Sequence, residues 1–233
     1  MELIDPHYLL EIFPALLKYL PETIRLSLLS MVFSLIIALP IVILQMQKVP
    51  VLGKLCSAYV VLTRACPLVV QIYVVYFGIP VLFLYAQRQG LPVEMSGLQP
   101  ALLGIIAMSL HFAAYISQVL RAALLAVDPG QIEAAQAMGM SWFQGFRRIV
   151  LPQAFCFALP PLCSQFLSII KSTSILFVIS VQELMAGGII EAAQTYRYLE
   201  VYLVIAAIYW VICFVVEKVL GAVSARSMVF VKG

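Results

Sequence analysis

Five long runs of apolar residues, separated by short polar breaks, dominate the sequence. A helix needs about 20 apolar residues to cross a bilayer, and each run is long enough to do so. Charged residues make up 11% of the chain, against about 25% in a soluble domain. We therefore predict an all-α, polytopic membrane protein that forms a single domain over residues 1–233. The predicted spans are residues 23–44, 58–85, 101–124, 157–184 and 201–220.

Several stretches outside or between these spans carry their own expectations. No basic region precedes the first apolar run, so we expect the first span to be retained rather than removed with a signal peptide. Residues 6–21 suggest a short amphipathic helix at the membrane interface. The run over residues 51–85 is too long for one untilted span, and its first part is expected to lie along the interface. Pro160 and Pro161 should bend the fourth span or delay its start.

The distribution of basic residues predicts the orientation of the chain. With the N-terminus outside, eight basic residues fall on the cytoplasmic side and four on the outer side. An excess of Lys and Arg marks the cytoplasmic side of a membrane protein. The polar stretch over residues 128–154 and the C-terminus are then cytoplasmic. The eight are Lys48, Lys54, Arg121, Arg147, Arg148, Lys218, Arg226 and Lys232, and the four are Lys18, Arg25, Arg88 and Arg197.

The polar stretch over residues 128–154 begins with the signals of a short helix. Asp128 is a good N-cap, Pro129 suits the first turn, and Gln131 follows Asp128 at the spacing of a capping box. Gly139 is suited to the left-handed conformation that ends a helix. The pattern predicts a helix over residues 129–138.

A second short helix is predicted directly after the first. Ser141 is another N-cap residue, with Gln144 again three positions later. This helix is expected over residues 142–150 and should stop before Pro152. A loop that only connected two spans would not need two capping boxes with a glycine between them.

The two short helices present a small set of side chains to a partner. Ala134 and Ala135 would allow another surface to approach closely, and Glu133 would add one charge to that smooth face. Arg147 and Arg148 on the second helix can bind phosphates or acidic partner residues. The chain lacks the Gly-x-x-x-x-Gly-Lys-Ser/Thr phosphate-binding pattern, so it does not bind ATP in that way.

The order of these residues resembles a known motif. Glu133-Ala134-Ala135, then Gly139, then Leu151-Pro152 resembles the EAA loop of bacterial ABC import permeases. Residues 64–71, with Arg64, Pro67 and Gln71, are similar to the Arg-Gly-Thr-Pro-Leu-x-x-Gln signature of the polar amino-acid subfamily, the histidine/glutamine/arginine/cystine type. The segments 113–121, 171–174 and 183–184 also resemble that subfamily.

The resemblance implies a type I import permease (MetI-like) fold in the bacterial plasma membrane. It implies that the loop contacts separate ATPase subunits, which would hold ATP and Mg, while this chain binds no cofactor and is not an enzyme. A second permease, identical or different, would complete the path across the membrane. An external binding protein would deliver an amino acid. The implied ATPase-coupling residues are Glu133, Ala134, Ala135, Gly139, Arg147 and Arg148.

Polar residues in or beside the spans are the candidates for a substrate path. A charge in mid-membrane costs about 2.5 kcal/mol or more, so Lys171 needs a function. It either attracts a substrate carboxylate or pairs with Glu183 or a partner subunit, and Arg64 either snorkels to the interface or serves a gate. The candidates are Arg64, Cys66, Gln71, Tyr115, Gln118, Lys171, Ser172, Thr173, Ser174 and Glu183.

Two departures from the subfamily pattern bear on the substrate. Gln118 stands where Glu is usual, and Ser172 stands where Asp is typical. The loss of two carboxylates favours a neutral or sulfur-containing amino acid, such as cystine, over a cationic one.

Two other classes of protein remain as alternatives. An ion-coupled secondary transporter should carry acidic residues in mid-membrane, whereas the carboxylates here lie at or beyond the predicted span ends. An intramembrane enzyme needs a catalytic pair, and only Lys171 with Ser168, Ser172 or Ser174 offers one. The five cysteines lack the spacing of metal ligands, so no metal site is expected.

Overall fold

The computed structural model describes residues 4–94 and 97–232, with backbone alone for residues 227–232. Every regular element in these ranges is helical, which confirms the all-α prediction. The helices are α1 Pro6–Leu17, α2 Leu20–Met46, α3 Leu52–Ala65, α4 Leu68–Arg88, α5 Pro100–Leu125, α6 Gly130–Ala137, α7 Trp142–Gly145, α8 Leu151–Ser172, α9 Leu184–Thr195 and α10 Tyr198–Lys232.

Five of the described helical segments are long and apolar enough to cross a membrane, as expected from the sequence. They are Leu20–Met46, Leu68–Arg88, Pro100–Leu125, Trp142–Ile179 and Tyr198–Arg226. The helix predicted at the start of the chain is α1, which packs on α9 and α10.

Helix α5 forms the centre of the bundle, and small residues bring α2 against it. Ser27, Ser30 and Ser34 recur at helical spacing on α2, and all three are buried. Ser34 donates a hydrogen bond to the carbonyl of Ser109 on α5, with 3.2 Å between the oxygens. Small residues allow close approach of membrane helices, which pack by van der Waals contact rather than by exclusion of water.

The second apolar run is divided into α3 and α4 at Pro67. The amide of Gln71 donates to the carbonyls of Thr63 and Cys66, at 2.7 and 2.8 Å, and satisfies the last turn of α3. Helix α3 packs against α2 and α5, with Val60 next to Ile41. The candidate span of this run is Leu68–Arg88, so the predicted span begins about ten residues too early, and the interfacial position of the first part stays a prediction.

The fourth span also differs from the prediction. One helical segment runs from Trp142 through a π-helical turn, Phe146–Val150, into α8. Pro152 lies in the first turn of α8, so the second short helix does not stop before it. Proline removes a backbone donor, and wider π turns commonly accommodate such a loss. Pro160 and Pro161 lie inside α8, so they do not delay the start of the helix.

The far end of α8 tightens into a 3₁₀ segment, Thr173–Ile179, which stops at Ser180 in the left-handed conformation, with φ of 63°. The last helix, α10, continues to Lys232, well beyond the predicted span. Glu217 consequently lies within a helix rather than beside its end.

The spans place the short elements at two opposite ends of the bundle. At one end, which we call the loop end, Met46 and Leu125 meet Trp142 around one apolar groove. At the other, the α9 end, Lys18 and Pro100 lie beside Ser180. The basic residues at the loop end include five that the sequence analysis assigned to the cytoplasm: Lys48, Lys54, Arg121, Arg147 and Arg148.

Candidate functional site

A glycine corner joins α6 and α7 at the loop end. Gly139 has φ of 81°, a left-handed conformation that residues with a side chain adopt at a cost. The amide of Met140 donates to the carbonyl of Ala135 at 3.0 Å and closes the end of α6. No atom lies within 4 Å of where a β-carbon on Gly139 would be, so conformation rather than space requires glycine here.

The start of α7 has the predicted capping box, whereas the start of α6 does not. The amide of Gln144 donates to the Ser141 hydroxyl, and the amide of Ser141 donates to the Gln144 side chain. At α6, the carboxylate of Asp128 accepts from the amide of Gly130 at 2.8 Å. That bond belongs to the turn before the helix, so the predicted box of Asp128 with Gln131 is not formed.

The exposed face of α6 is smaller than the sequence suggested. Glu133 and Ala134 are exposed, and Met138 beside the corner has 83% of its surface exposed. Ala135 is only 3% exposed and lies against Gly145 of α7, where an added β-carbon would be 3.1 Å away. Ala135 therefore holds α6 and α7 together instead of facing a partner, and Gly145 is a residue that the sequence analysis missed.

The turn after α7 carries cations and aromatic anchors. Arg147 and Arg148 are exposed, and neither forms an ion pair within the described ranges. The rings of Trp142 and Phe146 stack with their centroids 5.2 Å apart. Val150, the last residue of this turn, is buried against Val127, which follows the end of α5. These contacts fix the exposed pair α6–α7 to the spans.

A cavity of about 580 Å³ opens among α3, α5 and α8. The guanidinium of Arg64 lies over the ring of Tyr115, 5.3 Å from its centroid, and Gln118 lies one turn further along α5. The structure therefore brings three of the predicted path residues together. Arg64 is the single charged residue of the described lining, which also contains Val119, Ala122, Ala123, Ala126, Phe157, Pro161 and Gln165.

Two of these residues show how the sequence was informative and where it was not. Gln118 donates to Gln45 of α2 at 3.3 Å and to its neighbour Ser117 at 3.2 Å. Gln165 was not predicted, although an amide within an apolar span is itself a signal of a polar contact. Gln71, which was predicted, instead bonds across the helix break next to Cys66.

The polar group at the end of α8 is mostly engaged with its own helix. The hydroxyl of Thr173 donates to the carbonyl of Ile170 at 2.7 Å, and that of Ser174 donates to the carbonyl of Lys171 at 2.6 Å. Ser172 is half-buried, and Lys171 is exposed on the single chain. Lys171 does not pair with Glu183. Its pairing with a partner subunit and its attraction of a substrate carboxylate stay predictions.

Glu183 is fully buried at the α9 end. One carboxylate oxygen accepts the amide of Ala186 and caps α9 at 2.9 Å, and the other accepts the hydroxyl of Tyr209 at 3.0 Å. These bonds give Glu183 a structural role as a helix cap and hydrogen-bond acceptor, in place of the predicted salt link. Its place on a substrate path stays a prediction.

Five apolar spans, a cavity that opens among them beside Arg64, and an exposed helix pair at one end fit a membrane permease. Comparisons with known proteins agree. Residues 26–228 match the family model described as binding-protein-dependent transport system inner membrane component. The chain therefore belongs to this family of multi-pass inner-membrane permeases.

The relatives narrow the class further. The chain is 38% identical to the probable amino-acid ABC transporter permease protein PatM of Vibrio harveyi, over 92% of each chain. It is 37% identical to the L-cystine transport system permease protein TcyB of Bacillus subtilis, over 88% of this chain and 82% of that one. A chain of the crystal structure of an amino acid ABC transporter with histidines superposes with a TM-score of 0.81 and 29% identity, over 96% of this chain and 99% of that one. The chain is thus an ABC importer permease for amino acids.

Proposed function

We propose that this chain forms the membrane half of an ATP-driven importer, and that α6 transmits the motion of an ATPase subunit to the spans. The exposed corner made by Glu133, Ala134, Met138 and Gly139 carries this proposal. The corner is held rigidly, by Ala135 against Gly145, at the loop end of the bundle. ATP and Mg belong to the ATPase, with Arg147 and Arg148 available to its acidic residues.

The loop end faces the cytoplasm in this proposal. Two observations support this orientation. Basic residues are in excess at the loop end, and the chain belongs to a family of inner-membrane components. The α9 end then faces outward and receives the external binding protein. A second permease, identical or similar, faces this one and completes a path that alternates between outward and inward openings.

The cavity supports an amino acid without a net positive charge as the substrate. Arg64 is its one charged group among the described residues, and a guanidinium can bind a substrate carboxylate with two hydrogen bonds. Gln118 and Gln165 offer neutral amides to the rest of the molecule. The relatives include an L-cystine permease, which supports a sulfur-containing amino acid as one candidate.

A substitution at Gly139 tests whether α6 couples the ATPase to transport. A Gly139→Val variant forces a β-branched residue into a left-handed conformation, which costs about 1–2 kcal/mol and will be relieved by reorienting α6. We expect amino-acid uptake to be lost in cells that express the complete transporter, while the amount of permease in the membrane is unchanged.

The chain provides a matched control for this substitution. Gly90, at the opposite end, has φ of 80° and equally open surroundings. Gly90→Val carries the same backbone strain but leaves α6 untouched, so uptake should persist. Normal uptake by Gly139→Val, or equal loss in both variants, would contradict the assignment of α6.

A further inference from the structure

A second cavity, of about 390 Å³, lies at the loop end between the end of α2, the start of α3 and α5. Three cations line it, one from each element: Lys48 after α2, Lys54 on α3 and Arg121 on α5. No carboxylate is among its described lining residues, which also include Gln45, Val49, Pro50, Gly53 and Ser57. The transport function proposed above does not use this cavity.

The three cations form no ion pair within the described chain. Neither of the two ion pairs found there includes Lys48, Lys54 or Arg121, and all three side chains are exposed. Like charges gathered in one cavity repel one another unless an anion joins them. The cavity is therefore suited to an anionic group with several oxygen acceptors, such as a phosphodiester.

The backbone holds Lys48 in place by an unusual conformation. Lys48 has φ of 52°, in the left-handed region where glycine or asparagine is normally found. The amide of Val49 donates to the carbonyl of Leu44 at 3.3 Å, the bond of a helix cap that ends α2. Lys48 therefore carries a backbone strain that glycine would avoid, and strained residues of this kind cluster at binding sites.

The position of the cavity points to a lipid as the source of the anion. An exposed apolar face of α2 runs through Ile36, Leu39 and Ile43 to Met46, two residues before Lys48. On the other side of the cavity, α3 begins with the exposed Leu52 and Leu55. A phosphate in the cavity therefore lies at the level where apolar helix surfaces begin, and acyl chains can follow either surface.

We infer that Lys48, Lys54 and Arg121 bind the headgroup of an anionic phospholipid of the inner leaflet. The inference rests on the proposed orientation, with the loop end in the cytoplasm. Basic pockets between spans on that side are suited to such headgroups. The bound lipid would also contact the polar chain from Ser57 through Gln45 to Gln118, which reaches the transport cavity.

Native mass spectrometry of the complete, detergent-solubilised transporter tests this site. Phosphatidylglycerol is added in one series and phosphatidylcholine in another, and the lipid retained on the permease is measured. The test variant combines Lys48→Gly, Lys54→Gln and Arg121→Gln. Glycine at position 48 removes a cation while favouring the helix cap, so a loss of lipid will not reflect a lost fold.

We expect wild type to retain phosphatidylglycerol in preference to phosphatidylcholine. Each cation near an anionic headgroup contributes about a fivefold gain in affinity, so the triple variant should bind phosphatidylglycerol about a hundredfold more weakly. The matched control is Arg226→Gln, which removes a cation from α10 but not from the cavity, and it should retain the lipid. Equal loss in this control would overturn the site.

Two further arms distinguish other sources of the anion. Inorganic phosphate at millimolar concentration should not displace the lipid, and full displacement would identify a free-anion site instead. Loss of the ATPase from the triple variant, with phosphatidylglycerol retention unchanged, would identify a protein contact and overturn the inference. Because retention is measured without ATP or substrate, the result is independent of the Gly139 experiment.

Discussion

At the scale of single residues, Glu183 joins three helices at the α9 end. Its carboxylate caps α9 and accepts the hydroxyl of Tyr209 on α10. The amide of the next residue, Leu184, donates to the hydroxyl of Thr23 on α2 at 3.1 Å. Buried polar groups must be paired, and here each of these pairs also joins two elements or caps the start of a helix.

Glu183→Ala should destabilise the protein strongly. Loss of the cap costs about 1 kcal/mol, and loss of the hydrogen bond from the Tyr209 hydroxyl to a carboxylate costs about 1.5–3 kcal/mol more. We expect a lower thermal midpoint for the solubilised transporter, measured by the loss of folded protein on heating. Glu183→Gln should be much milder, because its amide can accept from Ala186 and donate to Tyr209.

The Gln variant also tests the substrate-path prediction for Glu183. If Glu183→Gln keeps the thermal midpoint of wild type and transports normally, the side chain is structural. If Glu183→Gln keeps the stability of wild type but loses uptake, the negative charge of Glu183 is needed on the substrate path.

At the scale of elements, three contacts attach the start of α1 to the last residue of α9 and the loop that follows it. Asp5 and Arg197 form an ion pair at 2.8 Å, and the Tyr8 hydroxyl donates to Thr195 at 2.9 Å. The guanidinium of Arg197 also lies over the Tyr8 ring, 4.6 Å from its centroid. These residues are about 190 positions apart in the chain, so no local pattern reveals the attachment.

The attachment should weaken in acid. The hydrogen bond from Arg197 and those from the amides of Tyr8 and His7 hold the pKa of Asp5 below its ordinary value. A lowered pKa in the folded state means that the stabilisation is complete above the unfolded value of about 3.9 and is lost as pH falls through the folded pKa. We expect hydrogen exchange of the α1 amides, corrected for intrinsic rates, to accelerate as pH falls from about 5 to 3.

Variants of α1 separate the ion pair from general effects of acid. Asp5→Asn keeps an N-cap side chain but cannot pair with Arg197, so its α1 amides should exchange faster at neutral pH and change little in acid. Glu11→Gln removes another carboxylate of α1, which forms no ion pair in the described chain, and should behave as wild type. An unchanged rate in Asp5→Asn would show that the other contacts are sufficient.

The features of these elements that the sequence predicts correctly are those set by residues close together in the chain. The capping box of Ser141 with Gln144 and the Gly139 corner follow from a few neighbouring residues, and both are formed. The contact of Ala135 with Gly145 and the bonds of Gln71 across the helix break depend on where the helices meet. Apolar length likewise predicts the five spans, whereas packing against α2 and α5 decides where α3 lies.

At the scale of the whole molecule, the surfaces with proposed functions lie at different places along the bundle. The α6–α7 corner lies at one end, the α1–α9 surface lies at the other, and the Arg64 cavity opens among the spans. An ion-coupled transporter would need a titratable carboxylate along that route. Glu217 is the one acidic residue well inside a described span, and it faces the gap between α8 and α10 with Ser164 and Ser224.

The energy source therefore distinguishes ATP-driven import from ion-coupled transport. In liposomes containing the purified transporter, with binding protein and amino acid outside, we expect accumulation when ATP is enclosed and none without it. Ionophores that abolish proton and sodium gradients should leave accumulation intact, because the Arg64 cavity has no carboxylate in its described lining to carry the coupling. ATP supplied only on the substrate side should not drive uptake by molecules whose α6 corner faces the lumen. Accumulation driven by an ion gradient in the absence of ATP would instead establish secondary transport, and Glu217→Gln would then be the first variant to test.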